Sequence, residues 1–364
     1  MGLFGTAKPD VEKLEAKQDI PGLIKAMQYK HDVWIPIKAV QALGRIKDAR
    51  AVPALCSEIN DLKGNRLYAI VALGEIGDES ALDTLINLLS DESSFVREAV
   101  VQALGKIGGA KCIPPLVKAC KDPDNKVASA AFEAIRFSCG EGIGSPLLQA
   151  LKDSDKKVKQ AAAYALSRLK DRNSVADLIT LLSDESVAVR RAAATALGMI
   201  GNDRAVDPLI KILEGTDIDK DEAVLALGEI GDPKAIEPLA SLRGENPYSV
   251  ALSLAKLGDS RDIKTLIKLI YDIYALHTER AQAVAVLGKL AIPGDVSDNA
   301  YSVIWHSMMD KEEDIREAAV MAVEKFVTKE RTEEIINRLE RILKTDQSEK
   351  VRRSAQKTLD VLKV

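Results

Sequence analysis

The tripeptide Ala-Leu-Gly ends one helix-like segment after another along this chain of 364 residues. It stands at Ala42-Leu43-Gly44, Ala72-Leu73-Gly74, Ala103-Leu104-Gly105, Ala196-Leu197-Gly198 and Ala226-Leu227-Gly228, with weaker copies between. With its Leu as marker, the register runs Leu43, Leu73, Leu104, Ile135, Leu166, Leu197, Leu227, Leu254, Leu287, Val323 and Leu359. The steps are 30 or 31 as far as Leu227, then 27, 33, 36 and 36. A fixed period between about 20 and 50 residues is the mark of stacked repeats. The expected fold is all-α: a right-handed α-α superhelix of about eleven helix pairs. Residues 1–9 form a flexible tail, and residues 10–364 a single solenoid, regular to about residue 232 and irregular after it.

One unit shows why. Leu82, Leu85, Ile86 and Leu89 recur at helical spacing, and so do Val96, Ala99, Val100, Ala103, Leu104 and Ile107. Between them Ser90-Asp91-Glu92-Ser93 is turn-forming. Gly108 stands where a helix C-terminus favours glycine. Each unit is therefore two antiparallel helices that must stack on their neighbours to bury their apolar stripes. The glycine after the marker Leu (Gly44, Gly74, Gly105, Gly198, Gly228, Gly288) lies inside the second helix, where it costs about 1 kcal/mol against alanine. A recurrent cost at one register implies close backbone approach by the next unit.

A second recurrence is an Asp followed six residues later by a base: Asp91 and Arg97, Asp153 and Lys159, Asp184 and Arg190, Asp310 and Arg316, Asp346 and Arg352. The Asp falls in the turn, near a helix N-terminus that a carboxylate can cap. The pattern suits a ladder of structural contacts between adjacent units; the alternative is a row of phosphate-binding groups. Val-Arg-x-x-Ala followed by Ala-Leu-Gly-x-Ile-Gly resembles the HEAT-like repeats named after phycobilin lyases, most closely at Val96-Arg97 through Gly108 and Val189-Arg190 through Gly201. The resemblance extends from about Asp10 to Val364 and implies a HEAT-like solenoid. It does not imply one activity, since that family spans scaffolds, lyase subunits, di-iron hydroxylases and DNA-binding relatives.

Composition narrows the choice. A net charge of −4 with 29% charged residues describes a mixed-charge surface without general attraction to nucleic acid. No run reaches the roughly 18 apolar residues of a membrane helix, and no signal peptide opens the chain. Four cysteines without paired spacing fit a reducing, cytoplasmic setting. Met1-Gly2-Leu3-Phe4-Gly5-Thr6 fits the N-myristoylation pattern, against the simpler expectation of a flexible tail.

The hydroxylase relatives carry His-Glu pairs as iron ligands; here the three histidines read His31-Asp32, His277-Thr278 and His306-Ser307, so no ligand carries over. No metal and no cofactor is expected. Cys112, Cys120 and Cys139 fall in one unit, either as buried small side chains or as a thiolate site that lacks the close Cys-x-x-Cys spacing. No Gly-x-Ser-x-Gly elbow and no phosphate loop is present, and Gly140-Glu141-Gly142-Ile143-Gly144 lacks the strand a dinucleotide site needs.

The second helices of such a stack line its concave inner face. Positions two before and two after the marker bring Phe137, Tyr164, Met199, Leu225 and Leu252 into an expected apolar stripe, with Arg168, Lys256, Lys289 and Lys325 flanking it. Either this stripe binds a partner protein or peptide, or it packs within the solenoid. The interspersed Glu75, Glu133 and Glu229 break any basic track for nucleic acid. Aromatics are concentrated between residues 248 and 306, with Tyr271, Tyr274 and Trp305 as candidate contacts; the alternative is that they fill gaps where the repeat changes length. The leading expectation is a non-catalytic interaction scaffold, monomeric behind a charge-rich C-terminal cap. The alternative is an enzyme or enzyme subunit resembling the lyase or hydroxylase relatives.

Overall fold

In a computed structural model, residues 8–61, 66–138, 142–215, 220–290 and 294–363 are described. Among these residues all regular structure is helical, and after the helix Val11–Ala16 the α-helices form eleven successive pairs. The chain divides into two compact units, Met1–Ala193 and Ala194–Val364.

In the first unit the second helices include Trp34–Ile46, Arg66–Ile76, Ser94–Ile107, Asn125–Arg136 and Lys156–Arg168. Their marker residues Leu43, Leu73, Leu104, Ile135 and Leu166 are fully buried, as apolar stripes that meet helix neighbours should be. The close approach implied by the glycines is present. A Cβ on Gly74 would lie 2.8 Å from the Cα of Ala103, and one on Gly44 would lie 3.0 Å from the Cα of Ala72. Alanine before the marker and glycine after it thus let consecutive second helices touch backbone to backbone. Three of these helices end three residues past the marker, and the next residue takes positive φ, at Lys47 (φ 59°), Gly77 and Gly108; Lys170 (φ 51°) does so four residues past Leu166.

The second unit repeats the arrangement: a Cβ on Gly198 would lie 2.8 Å from the Cα of Ala226. Its irregular spacing has its source in the lengths of the first helices. The first helices Gly294–Ser307 and Thr332–Thr345 have 14 residues each, against 7 in Ile113–Ala119 or Gly144–Ala150. The short step of 27 belongs to the pair Ile236–Ala240 and Pro247–Lys256, whose first helix has only 5 residues. One apolar cluster runs through this unit from Leu252 to Leu359.

Candidate partner-binding face

Two ladders of charge run along the units, and they decide which cations are free. The first is built on the turn aspartates. Each folds its own turn by accepting the N–H two residues on: Asp91 from Ser93 at 3.0 Å, Asp184 from Ser186 at 2.9 Å, Asp346 from Ser348 at 2.9 Å. The base six residues later turns back to the carbonyl of the same aspartate, as Arg97 Nη1 does to Asp91 O at 2.8 Å and Arg316 Nη1 to Asp310 O at 2.9 Å. Its remaining donors reach the carboxylate of the following repeat. Arg97 grips Asp122 at 2.8 and 2.9 Å, Lys159 meets Asp184 at 2.6 Å, and Arg316 grips Asp346 at 2.8 and 3.0 Å. Where Ala128 replaces the base after Asp122, Lys121 pairs with Asp153 at 2.8 Å instead. The hydrogen bond from Arg97 holds the Asp122 carboxyl below the usual carboxylate range. Only 12% of the Arg97 side chain and 8% of that of Asp122 remain exposed. Arg97, Lys159 and Arg316 are thus committed to joining repeats and are not free to form a row of phosphate-binding groups.

The second ladder stands two residues after the marker. Arg45 binds Glu15 through two bonds of 2.7 Å, Lys106 pairs with Glu75, and Lys256 meets Glu229 at 2.6 Å. Arg45, Lys106 and Lys256, three of the bases that could have lined a nucleic-acid track, are therefore neutralised by an acid of the preceding repeat or helix. At one step of the first unit the pattern changes. The acid's place is taken by Phe137, and Arg168 lies over its ring at 5.2 Å. A cation–π contact of this kind holds the guanidinium in place but leaves its charge uncompensated. Arg168 is exposed, as is Phe137 at 52%.

Around them a compact cluster forms. Phe137 and Tyr164 meet edge to face at 6.2 Å between ring centres. Arg136 lies 4.2 Å above the Tyr164 ring and 5.1 Å from that of Phe137, with a longer contact to Glu133 at 3.3 Å. Arg136 was not among the residues singled out from sequence, yet a signal existed. It occupies the register that holds glycine in Gly44, Gly74 and Gly105. A long side chain there does not permit the backbone contact that glycine allows, and Arg136 reaches over the Tyr164 ring of the next second helix instead.

In the second unit the predicted residues separate. Met199 (41%) and Leu225 (37%) are exposed. Leu252 is not: only 2% of it is accessible, and it lies in the apolar cluster with Ile263 and Leu266, with Ala281 and Ala285 of the next second helix packed on the same cluster. The expectation that Leu252 extends the surface stripe is corrected accordingly: it belongs to the core of its unit. Trp305 is divided between core and surface. It is half-buried against the core, stacked at 5.8 Å on Tyr301 and covered by Arg338 at 4.4 Å. Tyr271 (54%) and Tyr274 (92%) are exposed together with Ile273 and Leu276, in the turn joining Ile263–Tyr271 to His277–Leu287.

Other chemistry is sparse. Cys112 and Cys120 are buried, and burial pushes their thiols up to about 11 and about 12, so neither is a thiolate near neutral pH. Cys139, the Gly140-Glu141 stretch and the sequence Met1 to Thr6 lie outside the described residues. Among the described residues no group of three or more His, Cys, Asp or Glu side chains is placed to hold a metal ion, and no helix is long and apolar enough to cross a membrane.

No curated protein sequence matches the chain significantly. Among solved structures, a chain of the Kap95p–RanGDP complex has a TM-score of 0.54 at 14% identity; the match covers 95% of this chain and 56% of that one. An engineered protein (TM-score 0.36, 20% identity, 95% of this chain and 99% of that one) and E. coli YibA (TM-score 0.38, 20% identity, 71% and 98%) are more distant in shape. The HEAT-repeat family matches residues 60–136 and 144–221, and the PBS lyase HEAT-like repeat matches residues 36–61 and 219–242. Helix pairs in register, glycine-mediated stacking and both repeat families agree: the chain belongs to the HEAT-repeat proteins of the PBS lyase HEAT-like kind.

Proposed function

We propose that this protein is a non-catalytic scaffold, and that the cluster Phe137, Tyr164, Arg136 and Arg168 binds an acidic segment of a partner protein. The observation that carries this reading is the break in the second ladder. At Arg45, Lys106 and Lys256 a carboxylate answers the base; at Arg168 Phe137 takes the acid's place, and the guanidinium keeps its outer N–H groups for a ligand. Exposed aromatic and arginine side chains are what interface centres favour. An arginine fixed on an aromatic face loses little freedom on binding a carboxylate in a bidentate manner. Met199, Leu225 and the Tyr271–Leu276 turn are further contact candidates within their own unit. We take the working form to be a monomer in the cytoplasm.

The test is affinity capture from native extract, with mass spectrometry of what is retained, followed by direct binding of the identified partner. Arg168→Glu and Phe137→Ser should each weaken that binding at least tenfold while helical circular dichroism is unchanged, and Arg168→Lys should weaken it less than Arg168→Glu. Binding undisturbed by both Arg168→Glu and Phe137→Ser would sink the proposal. Retention of a tetrapyrrole or of stoichiometric iron would instead favour the lyase or hydroxylase alternative.

A further inference from the structure

A second set of uncommitted cations lies in the other unit, within a cavity of about 320 Å³. Its wall is formed by the helix Thr332–Thr345 and by the turn after Gly294–Ser307. Arg338 and Arg341, three residues apart on that helix, both line it. Met308, Met309 and Ile342 supply an apolar side, and Thr345 a hydroxyl. Two carboxylates also border the space, but both are already satisfied: Asp310 by Arg280 at 2.7 Å, and Asp346 by Arg316 at 2.8 and 3.0 Å. Among the described residues neither Arg338 nor Arg341 has an ion-pair partner within 4.0 Å.

Arg338 is the more informative of the two. Its Nε is buried without any hydrogen-bond partner, and its Nη2 makes only a long contact to Trp305 O at 3.4 Å. A buried guanidinium donor left unpaired costs free energy that a bound acceptor would restore. The guanidinium carbon lies 4.4 Å from the centre of the Trp305 ring, a cation–π contact that anchors the head group beside the cavity. Burial first, and then the neighbouring charge of Arg341, pull Arg338 below the usual arginine value, so the two cations are held together against their repulsion.

We infer that this cavity is an anion site, in which Arg338 and Arg341 together receive a phosphate or carboxylate group whose apolar body rests on Met308, Met309 and Ile342. An anion between the two guanidinium groups satisfies the orphaned donor and cancels the repulsion in one step. Arginine pairs suit both anions, because each offers oxygens spaced for the guanidinium fork. The site belongs to the second unit, and the inference does not rest on the proposed partner-binding cluster.

The full chain tests this by thermal denaturation with sodium phosphate, sodium acetate or sodium chloride at equal ionic strength. A ligand that binds only the folded state raises the Tm, here by about 2 °C or more above chloride at roughly 20 mM phosphate or acetate. Arg341→Gln should raise the Tm in chloride, because it relieves the repulsion, and should abolish the anion-dependent gain. Arg338→Lys should reduce that gain. In a Trp34→Phe background, Trp305 fluorescence should change on addition of the effective anion. A gain with phosphate alone assigns a phosphoryl ligand, and a gain with acetate as well assigns a carboxylate. Equal Tm values in all three salts, or a gain that survives Arg341→Gln, overturn the proposal.

Discussion

Adding one methyl group at Gly74 tests the stacking argument most directly, because two opposing effects must be weighed. Gly74 lies inside the helix Arg66–Ile76, and alanine there gains about 1 kcal/mol in helix propensity. Against this, the new Cβ would stand 2.8 Å from the Cα and 2.9 Å from the Cβ of Ala103. The backbone of the neighbouring helix must retreat, and overpacking of this kind costs about 1–3 kcal/mol. With both Ala103 carbons in the way the upper value applies, and Gly74→Ala should destabilise the protein by about 2 kcal/mol. Gly105 supplies an internal comparison. A Cβ there would meet only the Ala134 methyl at 3.0 Å, with the Cα at 3.6 Å, so a small shift relieves it. The propensity gain then offsets the clash, and Gly105→Ala should be neutral to within about 0.5 kcal/mol. Urea denaturation followed at 222 nm reads both. At a slope of about 3 kcal/mol per molar, Gly74→Ala should lower the midpoint by about 0.7 M and Gly105→Ala should scarcely move it. A Gly74→Ala protein as stable as the parent, or Gly105→Ala as the worse of the two, would refute the idea that these glycines are kept for interhelical contact.

Two further outcomes follow from the same geometry. The Asp122 carboxyl is lowered by Arg97, so its contribution is fully present above the unfolded carboxylate pKa of about 3.9 and is lost as pH falls through the lower folded value. Tm measured from pH 6 to pH 2 should therefore fall less steeply below about pH 4 in Asp122→Asn than in the parent, and identical slopes would mean that the pair contributes nothing. Lys170 takes φ 51° where the later repeats place Gly201 and Gly231. Lys170→Gly removes left-handed strain of about 1–2 kcal/mol at the expense of about 0.5–1 kcal/mol in chain entropy. It should raise the urea midpoint slightly, and a lower midpoint would count against the strain.

Sequence alone was sufficient for whatever depends on period. The marker leucines, the glycine contacts and the turn aspartates each recur at one register, so the eleven pairs, the close approach and the ladder between repeats could all be read in one dimension. What failed was local. Leu252 has the same register as Leu225, yet one is buried and the other exposed, because Leu252 joins the apolar cluster of its unit, which the one-dimensional register does not show. The aromatics from 248 to 306 were legible as an enrichment, but their fates divide: Tyr301 and Trp305 face the core, while Tyr271 and Tyr274 face solvent. The long steps near the C-terminus concealed extra helical turns, since spacing counts residues and not conformation. The partner face was legible only in part, and for an instructive reason. Regular positions in a repeat are spent on stacking, so side chains become available where the repeat code is broken. Arg136 replaces glycine and reaches over the Tyr164 ring; Phe137 replaces an acid and leaves Arg168 unneutralised. Both departures fall in one repeat and meet in one cluster. In a chain built from copies, the informative residues are those that the copying would not have placed there, and a search for binding sites in such proteins should begin from the register and look for its exceptions.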